Sequence, residues 1–206
     1  MNFFQKIPLA IANALYPYKF YGRENIPKGK AIFSSNHFSI IDCVHYLNLT
    51  KESTYFLSKK EVLQKKFVGK LLASYGAIPI DRNNPSIKEM FTALKVLKND
   101  SKLVVFAEGT RNKTGTTELQ PLKSGTALFA VKAKCPIVPV MMLNKPRMFR
   151  KTKIIIGEPF TFEEFYGKKL EDSDYDEMTK ILREKMVSAQ EKLKQMLVKK
   201  RKKCKS

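Results

Sequence analysis

The chain has 206 residues, 43% of them apolar, which is enough to bury one substantial core and suits a single α/β domain. Its 39 Lys and Arg against 19 Asp and Glu give a formal charge of +20, a charge attracted to nucleic acid, an anionic membrane face or a phosphorylated substrate. Three scattered cysteines, Cys43, Cys135 and Cys204, exclude a disulfide framework and a zinc site and suit a reducing cytoplasm.

Taken in chain order, the first stretch imitates a secretory signal through Lys6, a short apolar run and Ala12-Asn13-Ala14. The imitation is poor, because Asn13 interrupts the run and its length falls far below the ~20 residues of a spanning helix. Phe3, Phe4, Ile7, Ile11 and Leu15 recur at intervals near four, predicting an amphipathic helix that either lies in a membrane interface or caps the core. A short strand over 19–22 and a turn containing Pro27 and Gly29 follow.

The next stretch, AIFSSNHFSIIDCVHYLNL, places Asp42 five residues after His37. On one helix that separation turns about 140°, so the two side chains diverge. They meet only if 32–35 is a strand, His37 and Phe38 form the turn, and Ser39 is the N-cap of a helix whose third position is Asp42. Asp42 then reaches back to the imidazole as the carboxylate of a general base. The competing reading is a capping box, Ser39-x-x-Asp42, with a purely structural role. His45 is a rival partner for Asp42, although its place inside the helix favours packing.

A β-like run over 54–57 precedes a basic segment, 59–70, whose Val62, Leu63, Phe67 and Val68 predict one or two short helices with a cationic, solvated face. An apolar strand over 77–80 stops at the polar turn Asp81-Arg82-Asn83-Asn84-Pro85. Helical spacing of Ile87, Met90, Phe91, Leu94 and Leu97 predicts a helix over 86–98 packed on a sheet. The strand over 102–107 leads into Glu108-Gly109-Thr110-Arg111-Asn112-Lys113, which is either an ordinary turn or a ligand loop with a close backbone, a hydroxyl and a guanidinium fork. A helix through Ala133 opens near Lys123-Ser124-Gly125 with backbone donors that favour an anion. Strands over 136–142 and 153–156 complete the alternation, and Met178, Leu182, Met186, Ala189, Leu193 and Leu197 mark a long amphipathic helix packing on the domain.

Strands alternating with helices predict one layered α/β domain with a central mostly parallel or mixed sheet flanked by helices, preceded by the N-terminal amphipathic membrane-associating helix. Three polar clusters each follow a strand directly, where ligands gather in open sheets, so one cleft is expected to hold them. The basic run 199–203 is either a solvated, disordered tail or an attachment to anionic lipid. There is no aromatic platform or recognisable module for nucleic acid, and no nucleic-acid partner is expected.

In order, NHFSIID, GAIPIDR, FAEGTRN and PIVPV resemble the four motifs of the glycerolipid acyltransferases, especially the lysophosphatidic acid acyltransferases, over 36–140. The resemblance implies that His37 is the general base and Asp42 its orienting carboxylate. It implies that Arg82, Glu108, Gly109, Thr110 and Arg111 bind the acceptor's glycerol phosphate, with Lys123 helping. It further implies a segment 1–20, an acyltransferase domain 21–198 and a basic tail 199–206. The reaction implied is transfer of a fatty acyl group from acyl-CoA or acyl carrier protein to the sn-2 hydroxyl of a lysophospholipid acceptor, giving phosphatidic acid. The thioester is a co-substrate, and no cofactor or metal is expected. A peripheral or monotopic protein on the anionic surface of the cytoplasmic membrane face follows. Ala107 stands where the family usually has proline, Asn112 where serine is common, and Cys135 where a small apolar residue precedes the fourth motif. The alternatives are an acyltransferase for another lysolipid or for glycerol 3-phosphate, and a nonenzymatic basic membrane- or RNA-binding module.

Overall fold

Strands that read as almost unbroken apolar runs need cover on both faces, and this chain supplies it with two layers of helices. A computed structural model describes residues 3–81, 86–114 and 116–203. The strands are β1 (Tyr18–Tyr21), β2 (Ala31–Ser35), β3 (Thr54–Lys59), β4 (Ala77–Ile80), β5 (Lys102–Phe106), β6 (Ile137–Met142) and β7 (Thr152–Ile156). They form one mixed seven-stranded sheet in the order β1-β7-β6-β2-β5-β3-β4. The block β6-β2-β5-β3-β4 is parallel throughout, whereas β7 runs antiparallel to β6 and parallel to β1.

The helices are α1 (Phe3–Leu15), α2 (Ile41–Leu47), α3 (Lys60–Leu63), α4 (Lys66–Ser74), α5 (Ile87–Lys98), α6 (Gly125–Ala133) and α7 (Asp172–Lys203). Because successive strand residues face opposite sides, each central strand feeds two cores. On β5, Leu103 and Val105 join Ala93 and Leu97 of α5, Phe129 of α6, and Met178, Leu182 and Met186 of α7. Val104 and Phe106 turn the other way, to Cys43 and Tyr46 of α2, Leu72 of α4 and Leu9 of α1. α1 thus packs on the core through Leu9 while Ile7 and Ile11 stay exposed; the side chains of Phe3 and Phe4 lie outside the described ones.

Three features differ from the expected pattern. α2 begins at Ile41 with Ile40 at its N-cap position, one residue beyond the expected start, while Asp42 takes the N–H groups of both Phe38 and Ser39. The apolar run of β5 opens on a fully buried Lys102, which pairs with Glu52 at 2.5 Å and donates to Pro27 O and Gly29 O, tying two loops to β5 at the end of the sheet remote from the polar clusters. The lysine run 199–203 continues α7 as helix rather than trailing from it.

At the junction of α3 and α4, a Cβ on Gly69 would meet Leu63 O at 2.0 Å. The obstacle is backbone, so it cannot swing aside. Gly69→Ala is expected to cost about 1–3 kcal/mol of stability as overpacking, measured as a lower urea midpoint with an unchanged slope.

Candidate active site

The site begins where β2 leaves the sheet. Asn36 is buried, and its side chain donates to Met142 O at 3.0 Å and accepts from Met142 N at 2.9 Å, so it joins the ends of β2 and β6. His37 comes next, and its ring stacks on Phe106 with centroids 3.9 Å apart and planes 20° from parallel. The parallel register pairs Ser35 with Phe106. His37 and Glu108, each two residues further along, therefore leave neighbouring strands at the same level.

Asp42 is fully buried, and its Oδ2 receives three donors: His37 Nδ1 at 2.8 Å, Phe38 N at 2.6 Å and Ser39 N at 2.8 Å. An oxygen already accepting two backbone N–H groups has no proton to offer, so the imidazole must donate through Nδ1. Nε2 is then the acceptor of the neutral ring, as a general base requires. His45, the rival, is buried elsewhere: its Nε2 lies 3.2 Å from Tyr16 O and its ring packs beside Tyr18, which makes it a core residue.

The loop after β5 closes the other side. Asn112 N donates to His37 O at 2.7 Å, while the Asn112 side chain donates to Glu118 O at 2.9 Å and accepts from Thr114 N at 3.0 Å and Thr114 Oγ1 at 2.7 Å. The asparagine thus fixes both its own loop and the backbone of the base. Gly109, with φ 67°, makes the turn at which Lys123 packs, since a Cβ there would lie 2.9 Å from Lys123 Cδ. Glu108 is buried, and that burial pushes its carboxyl up from 4.5 to about 7, opposed by the His37 backbone N–H and reinforced by the charge of Asp42.

Two clefts meet at this rim. The first, of about 230 Å³, holds His37 together with Thr110, Arg111, Lys59 and Lys113, over an apolar floor that includes Phe56, Val62 and Leu72. The second, of about 270 Å³, is mostly apolar and is lined by Ile80, Met90, Leu128 and Phe129, with Gly109, Lys123 and the α6 N-terminus at its edge. Leu57 and Phe106 belong to both and form the partition. His37, Thr110 and Arg111 line the first cleft with Asp42 bonded behind the imidazole, Gly109 and Lys123 face the neighbouring cleft, and Glu108 is buried beside the His37 backbone without lining either. Arg82 lies outside the described residues. Its loop is bracketed by Glu89, whose Oε2 accepts from Asp81 N at 3.3 Å and Ser86 N at 2.8 Å. The Lys60 ammonium 2.6 Å away, with the Ser86 and Asp81 N–H groups, holds the Glu89 carboxyl down at about 2 against a smaller effect of burial.

Sequence reasoning missed Phe106, Asn112, Glu89, Lys59 and Lys113. The first two were quoted within a motif, but only the strand register and the loop's hydrogen bonds reveal their contacts with His37. No cluster of three metal-ligating side chains occurs among the described residues.

A buried His-Asp pair beyond the carboxyl ends of parallel strands, opening on a cation-lined cleft, is an arrangement of an α/β domain suited to base-catalysed chemistry on an anionic substrate. Residues 17–143 match the family model described as acyltransferase. Over 154 residues the chain is 31% identical to the 1-acyl-sn-glycerol-3-phosphate acyltransferase of Bacillus subtilis (strain 168), covering 71% of this chain and 75% of that protein. It is 36% identical over 138 residues to the protein of the same name from Limnanthes douglasii, covering 66% of this chain and 48% of that one. The crystal structure of the 1-acyl-sn-glycerophosphate (LPA) acyltransferase, PlsC, from Thermotoga maritima superposes with a TM-score of 0.65 at 22% identity, covering 90% of this chain and 76% of that chain. The chain belongs to the acyltransferase family.

The raised Glu108 carboxyl has a measurable consequence. The folded protein holds that proton more tightly than the unfolded chain, so this contribution to stability is complete below about 4.5 and is lost as pH rises through about 7. Glu108→Gln, neutral throughout, is expected to match the parent in Tm at about pH 4, to exceed it increasingly up to about pH 7, and to hold a constant advantage above that. A Tm difference independent of pH would contradict a raised carboxyl.

Proposed function

We propose that the protein transfers a fatty acyl group from a thioester to the free sn-2 hydroxyl of lysophosphatidic acid, giving phosphatidic acid. The observation that carries the reading is the 2.8 Å contact between His37 Nδ1 and Asp42, in a cleft rimmed by Lys59, Arg111 and Lys113. The names borne by the Bacillus subtilis and Limnanthes douglasii relatives support the same acceptor.

The acceptor phosphate pairs with the cations at the cleft rim, Arg111 offering two parallel N–H groups and the lysines point charge. That contact orients the glycerol hydroxyl toward His37. Nε2 takes the hydroxyl proton as the oxygen attacks the thioester carbonyl carbon, and Asp42 stabilises the imidazolium that forms. The tetrahedral intermediate collapses with cleavage of the C–S bond, and the leaving thiolate recovers the proton from Nε2. An ester and a free thiol result, with no covalent enzyme intermediate. The sequence lacks the Gly-x-Ser-x-Gly of a serine nucleophile. The adjoining apolar cleft, separated from the base only by Leu57 and Phe106, suits a fatty chain. Glu108, with its carboxyl pushed up to about 7 by burial, stands behind the His37 backbone rather than in the cleft lining.

The donor is acyl-CoA or an acyl carrier protein, and the protein works as a peripheral or monotopic protein at the cytoplasmic face of an anionic membrane. No described helix is long and apolar enough to cross a bilayer. α1, with Ile7 and Ile11 exposed, and the lysine-rich end of α7 are the sequence features behind that localisation.

The test is product mass spectrometry on purified protein, offered several lysolipids and glycerol 3-phosphate with each donor. Lysophosphatidic acid is expected as the preferred acceptor. His37→Ala is expected to lower kcat by about 10²- to 10⁴-fold, the contribution of a positioned base, with acceptor binding retained. Acylation that is no greater than in the His37→Ala control would overturn the reading.

A further inference from the structure

Membrane attachment has so far been assigned to the two ends of the chain, yet the most exposed large apolar side chain described lies in neither. Phe67 on α4 is 87% exposed, and Leu71, one turn on, and Val68 beside it are 40% and 41% exposed. On a helix, positions i and i+4 form one ridge, so Phe67 and Leu71 stand together on the outside of α4 while Leu72 turns inward. Lys65, Lys66 and Lys70 are exposed around this ridge, and α4 carries no acidic residue. The same holds for α1: Ile7 and Ile11 are exposed at i and i+4, Lys6 flanks them, and the helix has no Asp or Glu.

The two helices are joined at one corner. Gln5 Nε2 donates to Ser74 O at 2.9 Å, and Tyr75 Oη donates to Gln5 O at 2.6 Å. The first turns of α1 thus abut the end of α4, and both helices cover the same face of the sheet. The inner side of α4 supplies Leu72 to the wall of the cleft that contains His37. One helix therefore separates the base from an apolar ridge bordered by lysines.

We propose that the outer face of α4, together with the exposed isoleucines of α1, is the surface by which the protein seats itself on an anionic lipid bilayer, with Phe67 and Leu71 entering the acyl boundary. Charge complementarity selects this occupant: apolar side chains bordered by lysines, without carboxylates on either helix, match anionic headgroups over hydrocarbon. Seated so, the cleft opens beside the bilayer, and a single-chain acceptor reaches His37 without its chain crossing bulk water. The inference extends the membrane reading above but is tested without the reaction.

The chain has no tryptophan, so Phe67→Trp provides a single reporter, and Ile87→Trp, on exposed α5 of the opposite helix layer, provides its control. On vesicles of phosphatidylcholine and phosphatidylglycerol, the Phe67→Trp emission is expected to shift to the blue and to be quenched by brominated acyl chains, while Ile87→Trp emission stays unchanged. The double variant Phe67→Ser/Leu71→Ser is expected to bind these vesicles about ten- to a hundredfold more weakly. The pair Ile87→Ser/Phe91→Ser, which removes equally exposed apolar groups from α5, is expected to bind as the parent does. Turnover of a short-chain acceptor dispersed in water is expected to be unchanged in both double variants, and its absence in the parent would count against the reaction rather than against the surface. Unquenched Phe67→Trp emission, full vesicle binding by the α4 variant, or an equal loss in the α5 variant would overturn the proposal.

Discussion

One carboxylate oxygen organises the catalytic rim. Asp42 Oδ2 gathers the His37 ring N–H and the backbone N–H groups of Phe38 and Ser39 within 2.6–2.8 Å, in a place with no solvent. Hydrogen bonds to a charged group are worth about 1.5–3 kcal/mol each, more than an ordinary pair, so this oxygen fixes the turn firmly. It also removes any conflict between a capping role and a chemical one. The same contacts that satisfy the orphan donors ahead of α2 select the Nδ1–H tautomer and aim Nε2 at the cleft. Phe106 supplies the remaining restraint, since a ring stacked at 3.9 Å leaves the imidazole little freedom to tilt.

The parallel block of the sheet explains how residues far apart in sequence arrive at that oxygen. β2, β5 and β4 all end on one side, β2 and β4 followed at once by Asn36 and Asp81 and β5, after Ala107, by Glu108. Register then sets the level: Ser35 opposite Phe106 carries His37 and Glu108 outward together, and the Asn112 N–H to His37 O bond continues the link past the end of the ladder. At the opposite end, the buried Lys102 of β5 holds, through Glu52, Pro27 and Gly29, the loops that feed β3 and β2. The chemistry sits at one end and its mechanical anchor at the other.

Much of this was legible because the local patterns agreed with the tertiary result. The β2, β4 and β5 runs, the helix over 86–98 and the His37-Asp42 spacing all follow from periodicity and turn chemistry, and the structure adds a Ser86-Glu89 capping box at the start of α5. What was not legible depended on partners. Ser39 makes the contacts expected of an N-cap, its backbone N–H going to Asp42 and its hydroxyl accepting from Ile41 N at 3.3 Å, yet regular helix begins only at Ile41 with Ile40 in the cap position. The reversed direction of β7 leaves no trace in TKIII, since alternation is blind to strand sense. Lys123 was expected to help at the acceptor phosphate, and where its stem runs, over the bare Cα of Gly109 along the neighbouring cleft, is set by a tertiary contact that spacing does not show. The lysines of 199–203 were set apart as a tail by charge alone. Lysine is a good helix former, and α7 runs through them.

The division of the rim into a cationic cleft and an apolar one suits an amphiphile, whose two ends impose opposite demands. Charge acts at a distance: with +20 on the chain, attraction to anionic headgroups and phosphate extends over about a Debye length, ~8 Å at physiological salt. Apolar attraction acts only in contact, at about 0.8 kcal/mol per methylene buried, so a long acyl chain drawn wholly into water would cost on the order of 10 kcal/mol. No arrangement of lysines at a cleft mouth recovers that amount. A soluble enzyme facing such an acceptor must either enclose most of the chain or stand where the chain need not leave hydrocarbon. Clefts of about 230 and 270 Å³, with a thin helical wall between the base and an exposed Phe67, fit the second solution. In the proposed function, the position of the molecule on a lipid surface is then part of the catalytic arrangement, because it decides how much of the substrate must be desolvated before His37 can act.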